Sequence, residues 1–521
     1  MYPTTSKFKT EIYGNPRTVV GKVTFDISDV TAIGDITSIV TTAQASISNK
    51  DQLANKVRDA SANLATWERN RFRLDGSFSF PDDTIANNGE MGFVSSDICD
   101  AGGVFSSYPT ITFSFGGTHS SAGITITFDR FNNEYAVDFD ITAYNGATVI
   151  QTVSVVGNTE VMPDPLGQLA NYNKIVITIK KWSVGYRRAR VLEVDFGIVR
   201  TYTDDSLIGM KLIEELDLTS ARLPSPEFDF TVDNSDRAFN ILNPTGFYKY
   251  LQQRQQVIAE LGLDVGAGVI EWVPLGNYLL WDWTSDEGSL TATFTARTNL
   301  DLMAGFDYEQ LTPSSKTLYA LAEQLFAACG IENYSIDPAL QSIATNSMAE
   351  KTNCRDALQM VAIAGCANIF VTRGNVITLK CLTLGAAADT ISLDDSYDEP
   401  KIVLEPTVRA AAVTYWTDLD TSAVVTVNSS TATVGDVLKL ERNTFINSSV
   451  RATAVGQWLL ERREYRAEYR SNWRGNPAHE LGDVIEIENS YGANMAAFIT
   501  KNDIRYAGYL SARTDSKGAV N

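Results

Sequence analysis

Alternation of apolar and polar residues, which is typical of half-buried β-strands, dominates this chain of 521 residues. Residues 17–30, RTVVGKVTFDISDV, predict a strand near the beginning. From about Leu74, strand patterns such as TITFSF, YAVDFDITAY and KIVITIKKW recur with Gly, Asn and Asp between them. This recurrence predicts a β-sandwich within residues 66–198.

Strand patterns return in residues 199–305 and again in residues 401–521, and a helical pattern separates them. In residues 306–400, Leu318, Leu321 and Leu325 have helical spacing, and Gly330 follows as a stop signal. A second helix and a β-hairpin around residues 373–375 are predicted next. The chain is therefore expected to be mainly β with a small α/β unit at 306–400. The helices have ordinary amphipathic spacing, which favours core packing over a ligand site.

The remaining segment, residues 1–65, predicts the strand at 17–30 followed by a small, polar stretch that is part helix and part linker. A charged helix is also predicted within SSVRATAVGQWLLERREYRAEYRSNW, near residues 448–473.

The stretch EFDFTVDNSD, residues 227–236, has the acidic residues that one would examine for metal or acid–base chemistry. Glu227 and Asp229 alternate with Phe228 and Phe230, however, which predicts a strand with one polar and one apolar face. The spacing of DNSD does not match a calcium-binding loop. A structural strand is favoured, and a weak divalent-cation site is the alternative.

Composition disfavours several functions. The two histidines, His119 and His479, are far apart in sequence, and the five cysteines form no CxxC pair, so zinc sites and His-dependent hydrolysis are disfavoured. We expect no enzymatic activity, cofactor or metal. The formal net charge of −20 disfavours a DNA-binding groove but suits a conduit through which nucleic acid slides. No apolar run predicts a membrane span, and no signal pattern is visible at the N-terminus, so we expect a soluble, cytoplasmically made protein without stable membrane insertion.

An aromatic and basic run stands out in this acidic chain, KKWSVGYRRARV. It contains Trp182, Tyr186, Arg187 and Arg188, which together could contact a glycan or a neighbouring subunit. The alternative, which we favour, is a strand end with a core tryptophan and arginines that extend into solvent.

Several stretches, in their order along the chain, resemble the hub or baseplate proteins of phage tails and related prophage particles. NLATWERNRFRLDGSF (63–78) resembles the beginning of an inserted β-sandwich in that family. FDFTVDNSDRAFNILNPTG (228–246), EWVPLGNYLLWDW (271–283) and ATFTARTNLDLM (292–303) resemble a tube-forming domain. Residues 475–518 resemble a C-terminal tube domain.

The resemblance implies a domain order. Residues 1–65 and 199–305 would form a first tube-like β-barrel or sandwich domain, and residues 401–521 a second. Residues 66–198 would be an inserted jelly-roll-like sandwich, and residues 306–400 a spacer.

It also implies a role. Three chains would form a homotrimer that matches the sixfold tail tube at the distal end of the virion tail, assembled in the host cytoplasm. The channel would pass DNA and the tape measure protein. The implied partners are the tail tube or distal tail protein and other baseplate or fibre proteins.

Two other functions remain as alternatives. The first is a tail-tip adhesin that binds cell-envelope glycans of the host through the sandwich. The second is a glycan-degrading enzyme, which needs two carboxylates across a cleft. The candidates Asp138 and Asp140 lie two apart on one strand, so the enzyme is disfavoured.

Overall fold

Strands account for most of the regular secondary structure in the computed structural model, which confirms the mainly β prediction. The structure describes residues 1–519 except 241, 244, 245, 286, 287, 289, 492 and 493. Three positions of the FDFTVDNSDRAFNILNPTG stretch therefore lie outside the described residues. The chain divides into two compact units. We name them the large unit (residues 1–23, 202–236 and 257–521) and the small unit (residues 24–201 and 237–256).

Up to residue 202, the strands are β1 (Val19–Ser28), β2 (Ile36–Thr41), β3 (Phe93–Ile98), β4 (Thr110–Ser121), β5 (Thr125–Thr127), β6 (Ala136–Asn145), β7 (Thr148–Val155), β8 (Leu169–Trp182), β9 (Arg188–Val191), β10 (Glu193–Asp195) and β11 (Gly197–Tyr202). Helix α1 (Ser6–Glu11) precedes them.

Beyond residue 202, the strands are β12 (Leu207–Glu215), β13 (Glu227–Asp233), β14 (Gln256–Asp264), β15 (Ile270–Ser285), β16 (Thr291–Arg297), β17 (Asp307–Gln310), β18 (Lys316–Thr317), β19 (Tyr334–Ile336), β20 (Ala344–Thr345), β21 (Ala349–Asn353), β22 (Asn368–Val371), β23 (Ile377–Lys380), β24 (Asp389–Ile391), β25 (Lys401–Leu404), β26 (Val408–Asp418), β27 (Thr421–Asn428), β28 (Asp436–Leu440), β29 (Ala467–Trp473), β30 (Val484–Ile487), β31 (Met495–Tyr506) and β32 (Leu510–Gly518). The helices are α2 (Asn299–Leu302), α3 (Leu318–Ala328), α4 (Cys354–Gly365) and α5 (Ser449–Glu464).

The small unit is built on a five-stranded sheet with the order β2–β4–β8–β6–β7 and antiparallel pairing throughout. Two short sheets, β3–β9 and β5–β10, accompany it. Together they surround a core that includes Phe113, Phe128, Phe139, Trp182 and Phe196. The jelly-roll connectivity remains a prediction.

The prediction of a helical linker in residues 31–65 is wrong. Residues 36–41 form β2, which pairs with β4 in the five-stranded sheet, and the remainder has only single 3₁₀ turns. Ile36 and Ile39 pack against the core of the small unit, and Leu53 and Ala54 lie within it. The widely spaced apolar residues of this segment therefore belong to the sheet and to the core that it packs on.

The large unit contains a wide sheet with the order β14–β15–β16–β13–β12–β31–β32–β29–β25. Strand β30 pairs with β31, and β24 pairs in parallel with β30. The antiparallel pair β12–β31 matters most, because it joins strands from the segments 199–305 and 401–521. The two predicted tube-like segments thus contribute to one continuous sheet.

A mixed helical core forms the rest of the large unit. Helix α3 begins after Thr317, whose hydroxyl accepts a hydrogen bond from Ala320 N–H, and Gly330 follows with a φ of 66°. The predicted hairpin is present as β22–β23. Helix α5 ends at Glu464, earlier than predicted, because residues 467–473 enter the wide sheet as β29.

The boundary predicted at residue 401 differs from the structure. Strands β26, β27 and β28 form a separate three-stranded sheet. Val413 on β26 and Val455 on α5 belong to the same core as Leu321 on α3 and Leu358 on α4. Residues 408–464 therefore extend the spacer, since their apolar faces fit against its helices. No helix in the described part of the chain is long and apolar enough to cross a membrane.

Candidate functional site: the polar face of the wide sheet

The EFDFTVD stretch forms β13, and it shows how the wide sheet separates its two faces. Phe228, Phe230 and Val232 are buried on one face, as the alternation predicts. Phe230 stacks on Phe294 of β16 with ring centroids 4.9 Å apart, and Phe228 stacks on Tyr278 of β15 at 5.0 Å. This face is a packed aromatic core, so the strand interpretation is confirmed.

The opposite face, which we name the polar face, carries charged residues at alternate positions. On β13, Glu227 accepts a hydrogen bond from Arg297 of β16 at 2.9 Å, and Asp229 accepts one from the Thr295 hydroxyl at 2.7 Å. Lys211 of β12 stands opposite Asp229 in the strand register. The carboxylates examined as candidate metal ligands are therefore partners in cross-strand pairs.

The same pattern continues across the junction between the two segments. Glu215 of β12 forms an ion pair with Lys501 of β31. Asp503 and Arg505, both on β31, pair at 2.7 Å. Burial favours the neutral form of Asp503, but the hydrogen bond and charge of Arg505 outweigh it, and the pKa of Asp503 is lowered.

Beyond β31, Asp515 of β32 receives a hydrogen bond from Arg513 at 3.1 Å. On β29, Arg470 donates to Glu468 at 2.7 Å. Opposite charges thus lie side by side along the polar face, because strand register, which net charge does not reveal, places cations beside carboxylates.

A cleft of about 880 Å³ opens on the polar face at the end of β12, beside Lys501 in the middle of β31 and Lys517 near the end of β32. Its ionisable lining residues are Glu215, Asp217, Arg222, Glu227, Glu405, Arg462, Arg463, Glu468, Lys501, Asp515 and Lys517. Among the residues that the structure describes, no group of three or more His, Cys, Asp or Glu side chains is placed to hold a metal ion. The cleft can offer paired charges of both signs to a polar chain.

Strand β25 ends the wide sheet and leaves apolar side chains uncovered. It pairs with β29, its partner among the described residues, with Ile402 opposite Tyr469 and Leu404 opposite Ala467. Tyr469 and Ala467 are buried, yet Ile402 and Leu404 are each 55% exposed. The apolar face of the sheet thus continues to an edge whose main-chain groups are also available for pairing.

A buried ion pair fixes the β22–β23 hairpin against the wide sheet. Arg373 contacts both carboxylate oxygens of Glu214, at 2.6 and 3.0 Å, and donates to the carbonyls of Pro477 and His479. The pKa of Arg373 is raised, since the charge of Glu214 outweighs the effect of burial. The contact braces β12, which lies beside the junction of the two segments.

The predicted contact residues lie elsewhere, in the small unit, and two of them are unsuitable. Trp182 is 1% exposed and donates its indole N–H to Glu134, which also receives the Arg187 guanidinium at 3.0 Å. Both side chains are interior, so neither can contact a glycan. Tyr186 is exposed, and Arg188 is partly buried.

The favoured alternative for this run was right about the tryptophan and wrong about the arginines. Arg190 is buried and pairs with Glu68. Burial would raise the pKa of Glu68, but the hydrogen bond and charge of Arg190 lower it to about 2. Arg187 and Arg190 thus form internal ion pairs, whereas Arg188 donates to main-chain carbonyls. The sequence did not reveal the acidic partners, because Glu68 and Glu134 are distant from the run along the chain.

Sequence reasoning missed an exposed aromatic cluster in the small unit, formed by Trp67, Phe72 and Phe80. Trp67 and Phe72 are stacked with centroids 5.3 Å apart and planes at 6°, and Phe80 meets Phe72 edge-on at 5.8 Å. The available signal was the density of aromatic residues between residues 67 and 80, in a segment without strand alternation.

Solved structures that resemble part of this chain include tail proteins. The tail protein from Neisseria meningitidis MC58 is 11% identical, with a TM-score of 0.42 over 61% of this chain and 93% of that one. The 43 kDa tail protein of prophage MuSo2 from Shewanella oneidensis is 11% identical, with a TM-score of 0.41 over 61% and 94%. Prophage tail protein gp18 from Listeria monocytogenes EGD-e is 11% identical, with a TM-score of 0.38 over 61% and 91%.

At 11% identity and TM-scores below 0.5, the similarity does not assign a function to this chain. No protein-family model matches the sequence, and no curated protein matches it.

Proposed function

We propose that this chain is a non-enzymatic structural subunit of a phage tail or tail-like particle. It acts as the trimeric hub at the distal end of the tail tube. The pairing of β12 with β31 carries this proposal, because it makes one continuous sheet from two segments that are distant in sequence. Three copies would supply six such segments around a channel, which matches threefold to sixfold symmetry.

The polar face is the surface that we assign to the channel. Its carboxylates are paired with Arg or Lys, as in Glu227–Arg297, Glu215–Lys501 and Asp503–Arg505. Neutralised charges attract neither a phosphate backbone nor a protein segment strongly, so DNA and the tape measure protein pass without being retained. Docking of the tail tube and of baseplate or fibre proteins completes the assigned role.

The first test is the oligomeric state and shape of the purified chain. We expect a trimer by size-exclusion chromatography with light scattering. Averaged electron micrographs should show a threefold ring, placed at the distal end of the tube in intact particles. A stable dimer, or a chain without a central hole in assembled particles, would contradict the proposal.

The second test concerns the β25 edge, which we assign to the contact between copies. The double change Ile402→Asp and Leu404→Asp places two charges on the exposed apolar side chains of this edge. We expect the trimer to dissociate while the circular dichroism spectrum and melting temperature of the chain are retained, because neither side chain is buried within one copy.

Val424→Asp with Val434→Asp is the matched control, since both valines are exposed in or next to the separate β26–β28 sheet. These two changes should leave the trimer intact. If the control variant dissociated and the β25 variant did not, the contact between copies would not be at β25.

A further inference from the structure

Trp67, Phe72 and Phe80 form an ordered cluster of exposed aromatic rings, which we name the platform. Trp67 is 87% exposed although one of its ring faces packs on Phe72. Phe80 is 66% exposed and supports Phe72 from its edge. A contiguous group of exposed aromatic rings marks a contact surface. Here the stacking fixes the orientation of the rings before any partner binds.

A cavity of about 350 Å³ adjoins this platform. Trp67 and Phe72 form part of its wall, and Ser46, Thr66, Ser96 and Arg188 add hydroxyl and guanidinium groups. Arg188 is held in place because its guanidinium donates to the carbonyls of Ser95 and Ser96. Apolar rings and polar groups therefore face the same small space.

We infer that this cavity and platform form a binding site for a saccharide. A pyranose ring presents C–H groups on its faces, which suit the Trp67 ring, and hydroxyls at its edge, which suit Arg188 and the serine and threonine hydroxyls. The volume lies within the roughly 300–1,000 Å³ that is usual for small-ligand sites. A protein partner usually buries on the order of 1,000 Å² in total, whereas this cavity is sized for a small ligand.

This inference goes beyond the hub proposal and does not depend on it. It also replaces the contact residues predicted from sequence, because Trp182 and Arg187 are interior and only Arg188 of that set lines the cavity.

The test is a glycan array probed with the full-length chain, carrying neutral and acidic oligosaccharides of defined structure. We expect binding to at least one class, confirmed by titration of the soluble oligosaccharide. Trp67→Ala should weaken that binding roughly tenfold or more, and Trp67→Phe should retain part of it, because an aromatic face remains.

Phe131→Ala is the matched control, since Phe131 is an exposed aromatic residue of the same unit that does not line the cavity. It should leave binding unchanged, and thermal melting should show that all variants are folded. Absence of binding to every oligosaccharide, or unchanged binding by Trp67→Ala, would overturn the inference. If Trp67→Ala instead prevented incorporation into particles while the array stayed negative, the platform would be a protein contact. A trimer without saccharide binding would leave the hub proposal standing and overturn only this one.

Discussion

At the scale of single residues, the small unit contains a buried charge network that makes stability depend on pH. Glu193 is fully buried close to Asp195, and Arg58 bonds to both Asp195 and Asp26. Burial and the charge of Asp195 raise the pKa of Glu193 to about 9, although Arg58 opposes the shift. Between the unfolded pKa near 4.5 and the folded value, the native state retains a proton that the unfolded chain releases, so this group lowers stability as pH rises through that window.

Glu193→Gln removes this titration. We expect it to stabilise the protein at pH 8 by on the order of 2 kcal/mol and to have little effect at pH 4.5. Urea denaturation at both pH values measures the difference. Glu160→Gln, at an exposed position of the same unit, should change stability at neither pH. An equal effect of Glu193→Gln at the two pH values would show that the carboxyl is not neutral in the folded protein.

Residue roles were the hardest feature to predict from the sequence. The alternation in EFDFTVD was sufficient to predict that Phe228 and Phe230 are buried, because burial along a strand follows local spacing. Local spacing could not predict the burial of Arg187, because its partner Glu134 is 53 residues away in sequence. The position of Trp67 on the surface was equally invisible, since loops have no periodicity from which exposure can be inferred.

At the scale of elements, the packing of α5 on the β26–β28 sheet depends on a close approach at Gly456. A Cβ atom at this position would lie 2.7 Å from a methyl group of Val427 on β27. Gly456→Val should therefore force the helix away from the sheet and destabilise the large unit by about 1–3 kcal/mol, measured by chemical denaturation. Gln457→Val introduces the same side chain at an exposed position of the same helix and should cost less than about 1 kcal/mol.

Element types were predicted better than element membership. Helix α3, the β22–β23 hairpin and β13 follow from local patterns and are present. The assignment of residues 408–464 to a tube-like domain differed, because a sheet's neighbours are chosen by fit over long sequence distances. For the same reason β2 was missed: its segment has a polar composition typical of a linker, and its partner β4 is distant in sequence.

At the scale of the whole molecule, the two compact units predict two unfolding transitions in scanning calorimetry. Arg373→Met should lower the transition temperature of the large unit only, with a loss of about 3–5 kcal/mol in its unfolding free energy. The reason is that it leaves the buried Glu214 carboxylate without its cationic partner. Adding Glu214→Leu should recover part of the loss. Lys351→Met, which removes an exposed ion pair with Asp307 in the same unit, should leave that free energy almost unchanged. A single transition that shifts as a whole would show that the units unfold together.

The junction of β12 with β31 has a consequence for synthesis on the ribosome. Glu215 and Lys501, which face each other across it, are 286 residues apart in sequence. While the intervening residues are being translated, the edge of β12 that will pair with β31 has no partner and is open to pairing with other nascent chains. A partly made copy that ends before β31 therefore lacks this junction and cannot complete the wide sheet.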